Sequence, residues 1–254
     1  MKQNIENEKA WYKNNPWINR NHFLMKWPFR HTTRHAHAYK YARMNVRKTI
    51  QQYLNKCFVN KKFKNILVAP CGTNADQDIL YDLTDDFYGI DISYEAIKEC
   101  PKYVNVKEAD ILNSGYENDS FDCIASFLFF HHLHKIGFTP FLKEFYRILK
   151  KDGVLVLFEP SCFFPFSWLI RLGRKIFGNI SGLVPDESPL APTKLSSFIV
   201  NAGFTIERFQ SVSFSHNIIP LPLQYILNVV TRPLQKVYPF NATGWMCVWI
   251  CKKS

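Results

Sequence analysis

Apolar positions along this chain fall into two kinds of run, short stretches rich in β-branched residues and longer ones spaced at three and four. The short runs are what strands buried on both faces look like, and the spaced runs are what helices with one buried stripe look like. Strands are therefore expected at Asn65–Ala69, Asp86–Ile90, Tyr103–Lys107, Asp122–Phe127 and Val154–Glu159. Between them, helices are expected at Asp76–Leu83, Tyr94–Glu99 and Thr139–Leu149, the last ended by Asp152-Gly153. Strands that alternate with helices imply a mostly parallel sheet covered on both sides.

Outside this alternation, Ala38–Phe58 is expected as a lone helix leading into the first strand. Phe164–Phe177 is expected as an aromatic helix with Arg171, Arg174 and Lys175 late in it. Leu195–Ala202 is expected as a helix stopped by Gly203, and Thr205–Phe209 with Gly244–Cys251 as a closing strand pair. Ile218–Tyr238, with Pro220, Pro222 and Pro233, reads as further apolar surface of less regular form. The fold class is α/β, a Rossmann-like doubly wound sheet, mostly parallel with an antiparallel last strand. Residues 1–58 form a basic, aromatic helical segment or lid, and residues 59–254 form the domain, with a cap insert at about 161–194.

Charge changes the picture at one end. Residues 1–64 hold fifteen Lys and Arg against Glu6 and Glu8 alone, and no acid lies between Lys9 and Lys64. Such a run concentrates anions, whether phosphorylated metabolites, anionic lipid or nucleic acid. The absence of Ser from residues 1–64 argues against a transit peptide, and the polar start argues against a secretory signal. Val154 to Ile170 is interrupted by Glu159, Pro160 and Pro165, so no membrane span is expected. Seven scattered cysteines without C-x-x-C spacing suit a reduced, cytoplasmic chain without structural zinc, with contact to a membrane surface as a further option.

The strongest chemical signal is the junction Ile66-Leu67-Val68-Ala69-Pro70-Cys71-Gly72-Thr73-Asn74, a buried strand entering a turn. Gly72 lacks a Cβ, which permits a ligand to approach the backbone. Nineteen residues on, Asp91 ends the next strand, where such folds place a carboxylate on a ribose diol. Asp110 follows the third strand and can accept from an adenine amine. The missing second and third glycines speak against a pyrophosphate, and so against a dinucleotide.

At these positions the sequence resembles the class I S-adenosylmethionine-dependent methyltransferases, especially the small-molecule group similar to the ubiquinone and menaquinone enzymes, over roughly residues 60–210. The resemblance implies S-adenosylmethionine as cofactor and S-adenosylhomocysteine as product. It places Cys71, Gly72 and Thr73 at the methionine moiety, Asp91 with Ile92 at the ribose, and Asp110 with Ile111 at the adenine. Phe127 and Leu128 would flank the sulfonium, and Glu159-Pro160 and Phe204 match further family features. The sequence departs from the pattern at Val68, where the family carries an acid, and at Pro70 and Asn74, where it carries glycines. Asn74 tolerates left-handed backbone, and Asp76 or Asp78 is the expected stand-in for the missing acid.

Methyl transfer needs a base only if the acceptor is protonated. His132 first, and His131 beside it, are the candidates, because they follow the fourth strand at the ligand-binding edge. Arg30 and Arg34 read as phosphate or carboxylate clamps, with Tyr39 and Tyr41 as companions in substrate binding. His31, His35 and His37 have no acidic or thiolate neighbour, and no metal is expected. The function expected is O-methylation of an anionic, phosphorylated or lipid-linked small molecule such as a surface-glycan or capsule precursor. Two rivals remain, an RNA methyltransferase that grips its substrate with the basic segment, and a non-catalytic cofactor-binding module.

Overall fold

Seven strands pair into one sheet: β1 (Phe63–Val68), β2 (Thr84–Asp91), β3 (Asn105–Glu108), β4 (Phe121–Phe127), β5 (Leu149–Pro160), β6 (Phe204–Ser213) and β7 (Met246–Lys253). Their spatial order is β3-β2-β1-β4-β5-β7-β6. β1 to β5 pair in parallel, whereas β7 lies antiparallel to both β5 and β6. The computed structural model describes residues 32–73, 76–168, 172, 188–216 and 219–254. Within these run helices α1 (Thr32–Cys57), α2 (Gln77–Leu80), α3 (Tyr94–Ile97), α4 (Thr139–Ile148), α5 (Pro192–Asn201), α6 (Leu221–Val230) and α7 (Phe240–Thr243).

Successive side chains of a strand point to opposite faces, and β5 shows what each face meets. Val154, Val156 and Phe158 share a core with Ala42, Val46, Ile50 and Leu54 of α1. Leu155 and Leu157 share the other core with Phe141 and Phe145 of α4 and Leu195 and Ile199 of α5. Full burial of such an aliphatic side chain contributes about 1.5–3 kcal/mol, so both layers are needed to hold the sheet.

α1 begins six residues before the expected start, and polar contacts pin it along its length. Asn45 Nδ2 donates to the Val212 carbonyl at 2.8 Å, and Gln210 Nε2 to Thr49 Oγ1 at 3.2 Å. Its C-terminal Tyr53 lies near Phe58, which packs edge-on against Phe63 at the start of β1. Its N-terminal half instead reaches the opposite edge of the sheet. There the Tyr39 ring stacks on Phe158, and Arg43 grips the residues that follow β1. α1 therefore runs against the direction of β1–β5, with its N-terminus at their carboxyl edge.

Several expected elements changed length. The helix expected at Asp76–Leu83 is the single turn α2, because Asp82 adopts φ 64° and turns the chain into β2. The helix expected at Tyr94–Glu99 stops at Ile97, where Pro101 just beyond disfavours a further turn. β3 starts at Asn105, two residues late. Tyr103 is taken up by ring contacts with Tyr81 and Phe87 and by a hydrogen bond from its hydroxyl to Gln77. Of the closing pair, β6 is longer than expected, and β7 keeps its expected length but lies two residues later. α6 was not expected as a helix at all. Most of the aromatic helix expected at Phe164–Phe177 lies outside the described residues, although Ser167 and Trp168 are helical.

Arg43 holds α1 to the turn after β1. Its guanidinium donates to Asp76 Oδ1 and Asp78 Oδ2, each at 2.6 Å, and makes a second bond to Asp78. Burial pushes the Asp76 carboxyl above the usual carboxylate range, and the Arg43 charge opposes that rise. Removing the arginine takes the guanidinium from the largely buried Asp76 and parts α1 from this turn. Arg43→Ala is expected to lower stability by about 3 kcal/mol, measured by urea unfolding at neutral pH.

Candidate active site

The sheet order places β1 beside β4, with connections leaving in opposite directions on either side. Ligands of open α/β sheets bind in the crevice that this divergence opens at the carboxyl ends of the strands. The turn after β1 enters the crevice with Gly72 at φ 56°, a left-handed conformation that suits glycine. Its N–H donates to Asp91 Oδ2 at 2.9 Å, and the Ser93 N–H donates to Asp91 Oδ1, also at 2.9 Å. With the Ile92 N–H as a third backbone donor, the Asp91 carboxylate is fixed by the two turns it joins. Burial pushes the Asp91 carboxyl up, and the N–H donors of Ser93 and Gly72 pull against that shift.

Cys71 contributes backbone to this turn, while its side chain turns into the core. Its N–H donates to the Ile90 carbonyl at 2.9 Å, and the thiol lies by Cys100 under Gly89. A Cβ at Gly89 would stand 2.9 Å from the Cβ of Cys71, so the cysteine requires the glycine. The hydrogen bond with Cys100 and burial push the Cys71 thiol far above the usual thiol range. Thr73 is half-buried in the turn, and Ile92 is half-buried just after Asp91. Asp110 accepts from the Leu112 N–H at 3.0 Å and starts a short 3-10 turn, Ile111–Asn113, whose first residue is buried.

The stand-in acids are both committed elsewhere. Asp76 and Asp78 grip Arg43, and Val68 is fully buried in the apolar core.

Glu159, at the end of β5, organises the opposite wall. Its carboxylate is fully buried and accepts from the backbone N–H groups of Phe129 and Phe130, each at 2.8 Å. The ring of His131 meets the other oxygen at 2.8 Å through Nδ1. Leu128, which precedes this loop, holds φ 55°, a conformation that costs a non-glycine residue about 1–3 kcal/mol and that recurs at ligand sites. Phe127 is buried edge-on against Phe158. His131 is thereby fixed in the wall at 4% exposure, whereas the His132 ring lies tilted against it, centroids 4.1 Å apart, and is only half-buried. Sequence reasoning missed what Glu159 does. The available signal was one acid at the tip of the all-apolar run Val154–Phe158.

The substrate candidates separate. Tyr39 stays near the carboxyl edge, where its hydroxyl accepts from Arg43 at 3.1 Å and burial pushes its pKa to about 12. Tyr41 turns away to α6 and donates to the Asn228 carbonyl at 3.1 Å. Arg34 lies in the first turn of α1, and Arg30 lies outside the described residues.

The sheet is Rossmann-like, with carboxylates at Asp91, the end of β2, and Asp110, just after β3, on its carboxyl edge. Residues 67–157 match the family model described as a methyltransferase domain. The fold is shared with a SAM-dependent methyltransferase from Thermotoga maritima, at TM-score 0.63 and 15% identity over 96% of this chain and 98% of that one. It is shared also with a SAM-dependent methyltransferase from Archaeoglobus fulgidus, at TM-score 0.54 and 16% identity over 83% and 94%. No curated protein matches in sequence. Over residues 67–157 the chain thus carries the match to a methyltransferase domain, on a fold that it shares with S-adenosylmethionine-dependent methyltransferases. When bound, S-adenosylmethionine supplies a methyl carbon already activated by its sulfonium. The residues present fit it, with Asp91 for the ribose, Asp110 and Ile111 for the adenine, and the backbone of Gly72 for the methionine portion.

Two measurements check this site. Asp91→Ala is expected to weaken S-adenosylmethionine binding at least about tenfold by calorimetry, the scale of lost charged hydrogen bonds. Because the Asp91 carboxyl titrates above its ordinary range, affinity in the unaltered enzyme is expected to fall as pH drops below neutral, before an ordinary carboxylate would protonate. Glu159→Gln keeps the volume but replaces an acceptor with a donor facing donors. It is expected to cost about 1–3 kcal/mol of stability in denaturant unfolding.

Proposed function

We propose that this methyltransferase acts on an oxygen of an anionic small molecule, phosphorylated or lipid-linked, of the kind that serves as a surface-glycan precursor. The observation that carries the reading is the direction of α1. Because α1 starts at the carboxyl edge, the described part of the acid-free basic run begins beside the crevice, with Arg34 in the first helical turn. A guanidinium grips phosphate through two parallel N–H bonds, which suits an acceptor held by its charge.

The displacement at the methyl carbon demands alignment and a dry site more than it demands bond-making groups. Phe129, partly buried just after β4, supplies apolar surface there. His132 is the general base for a hydroxyl acceptor, held in place through the ring contact with His131 and its tie to Glu159. His131 acts as a positioning residue.

The experiment is mass spectrometry of phosphorylated and lipid-linked metabolites after incubation with methyl-labelled cofactor. Label on an anionic metabolite supports the reading, and label confined to RNA overturns it. With the acceptor in hand, His132→Ala is expected to slow transfer about 100-fold while leaving cofactor affinity intact. Arg34→Ala is expected to raise the KM for the acceptor.

A further inference from the structure

α6 is built inside out. Its buried side chains are Gln224 and Asn228, while Leu223, Tyr225, Ile226, Val229 and Val230 are 45% to 74% exposed. A helix lying on a sheet ordinarily turns its apolar stripe to the core and its amides to water. Here the amide face is fixed inward. Gln224 Nε2 donates to the Ile219 carbonyl at 2.8 Å, and Tyr41 of α1 donates to the backbone carbonyl of Asn228, whose side-chain amide is buried without a hydrogen-bond partner among the described residues. The apolar face is left outward by that anchoring.

The surface around it has the same character. Val237, Tyr238 and Phe240 are exposed just after the 3-10 turn Arg232–Lys236. On α1, His37 packs against Tyr225 with ring centroids 4.3 Å apart, and Met44 continues the stripe of His37 and Tyr41 at 60% exposure. The phenol rings of Tyr225 and Tyr238 are the amphipathic type that sits at lipid headgroup level.

Charge decides what can cover this face. The chain holds no Asp or Glu after Glu207, and none between Lys9 and Lys64. α6 and α1 bring these two acid-free stretches together, and Lys40, Lys48, Arg232 and Lys236 are exposed along them. A second copy of the chain would set these cations against their own equivalents with no acid to pair them, and residues 1–31, with six Lys and Arg, carry the same sign. An apolar layer under a negatively charged surface is what the patch matches, and an anionic bilayer has that structure.

We propose that the outward face of α6, with the exposed residues that follow it, docks this enzyme on an anionic membrane surface. Leu223, Ile226 and Val229 enter the acyl boundary, and Arg232 and Lys236 meet lipid phosphates. This goes beyond the acceptor reading above and stands whether or not that reading does.

The test is co-sedimentation of the full chain with vesicles of phosphatidylcholine alone or mixed with phosphatidylglycerol. Binding is expected on the mixed vesicles, falling with added salt, and at least about tenfold weaker on the neutral ones. The double variant Ile226→Ser with Val229→Ser is expected to bind at least about tenfold less, because two buried aliphatic contacts are lost. Arg232→Glu with Lys236→Glu is expected to lose about twentyfold, at roughly a factor of five for each basic residue near the surface. Calorimetric binding of S-adenosylmethionine verifies that each variant is folded. Equal binding to both vesicle types overturns the proposal. So do variants that bind the cofactor and sediment like the unaltered chain, and so does a serine variant whose only change is the loss of a dimer.

Discussion

The carboxylate of Glu159 is wholly buried, and a charge in that position is tolerable only where donors close around it. The donors come from the loop that leaves β4, three backbone N–H groups and one imidazole. One side chain at the end of β5 therefore dictates the path of the neighbouring loop, and the left-handed backbone at Leu128 is the bend that lets the loop comply. Asp91 plays the corresponding part between β2 and the turn after β1. With both loops held, the edge between β1 and β4 is a shaped crevice before any ligand arrives. Preorganisation of that kind reduces what binding must spend on ordering.

α1 adds the third wall. Its apolar stripe covers one face of the sheet, and its direction is set by aromatic contacts at both ends, Tyr53 with Phe58 and Tyr39 with Phe158. Arg43 then joins the helix to the residues after β1, the segment where an acid is missing at Val68. The cofactor turn is thus stabilised from outside by α1, through Asp76 and Asp78, more than from within by its own glycines.

The central strands were legible because a continuous apolar run of four or five residues between turn residues is too short for a buried helix and too apolar for a surface loop. The positions of Gly72, Asp91 and Asp110 followed from those strands, since strand ends fix where a parallel sheet binds ligands. What escaped depended on partners far away in the chain. The thiol of Cys71 points inward because Gly89, on the adjacent strand, leaves room for it. His131 looked like an exposed base until Glu159, twenty-eight residues on, claimed its ring. α6 escaped for a different reason, because its amides lie inside and its aliphatics outside, so periodicity alone gave no indication of which side met the sheet.

The position of β7 has a consequence for how the chain is made. The last strand to be synthesised is not at an edge but lies between β5 and β6, with Met246 through Cys251 all buried. Until it emerges, β5 keeps a bare flank and β6 has no neighbour to pair with. α1, among the earliest described residues to leave the ribosome, is meanwhile without the Val212 carbonyl that anchors Asn45. That anchor must therefore wait for a partner 167 residues further along the chain, while the apolar stripe can already pack on β1.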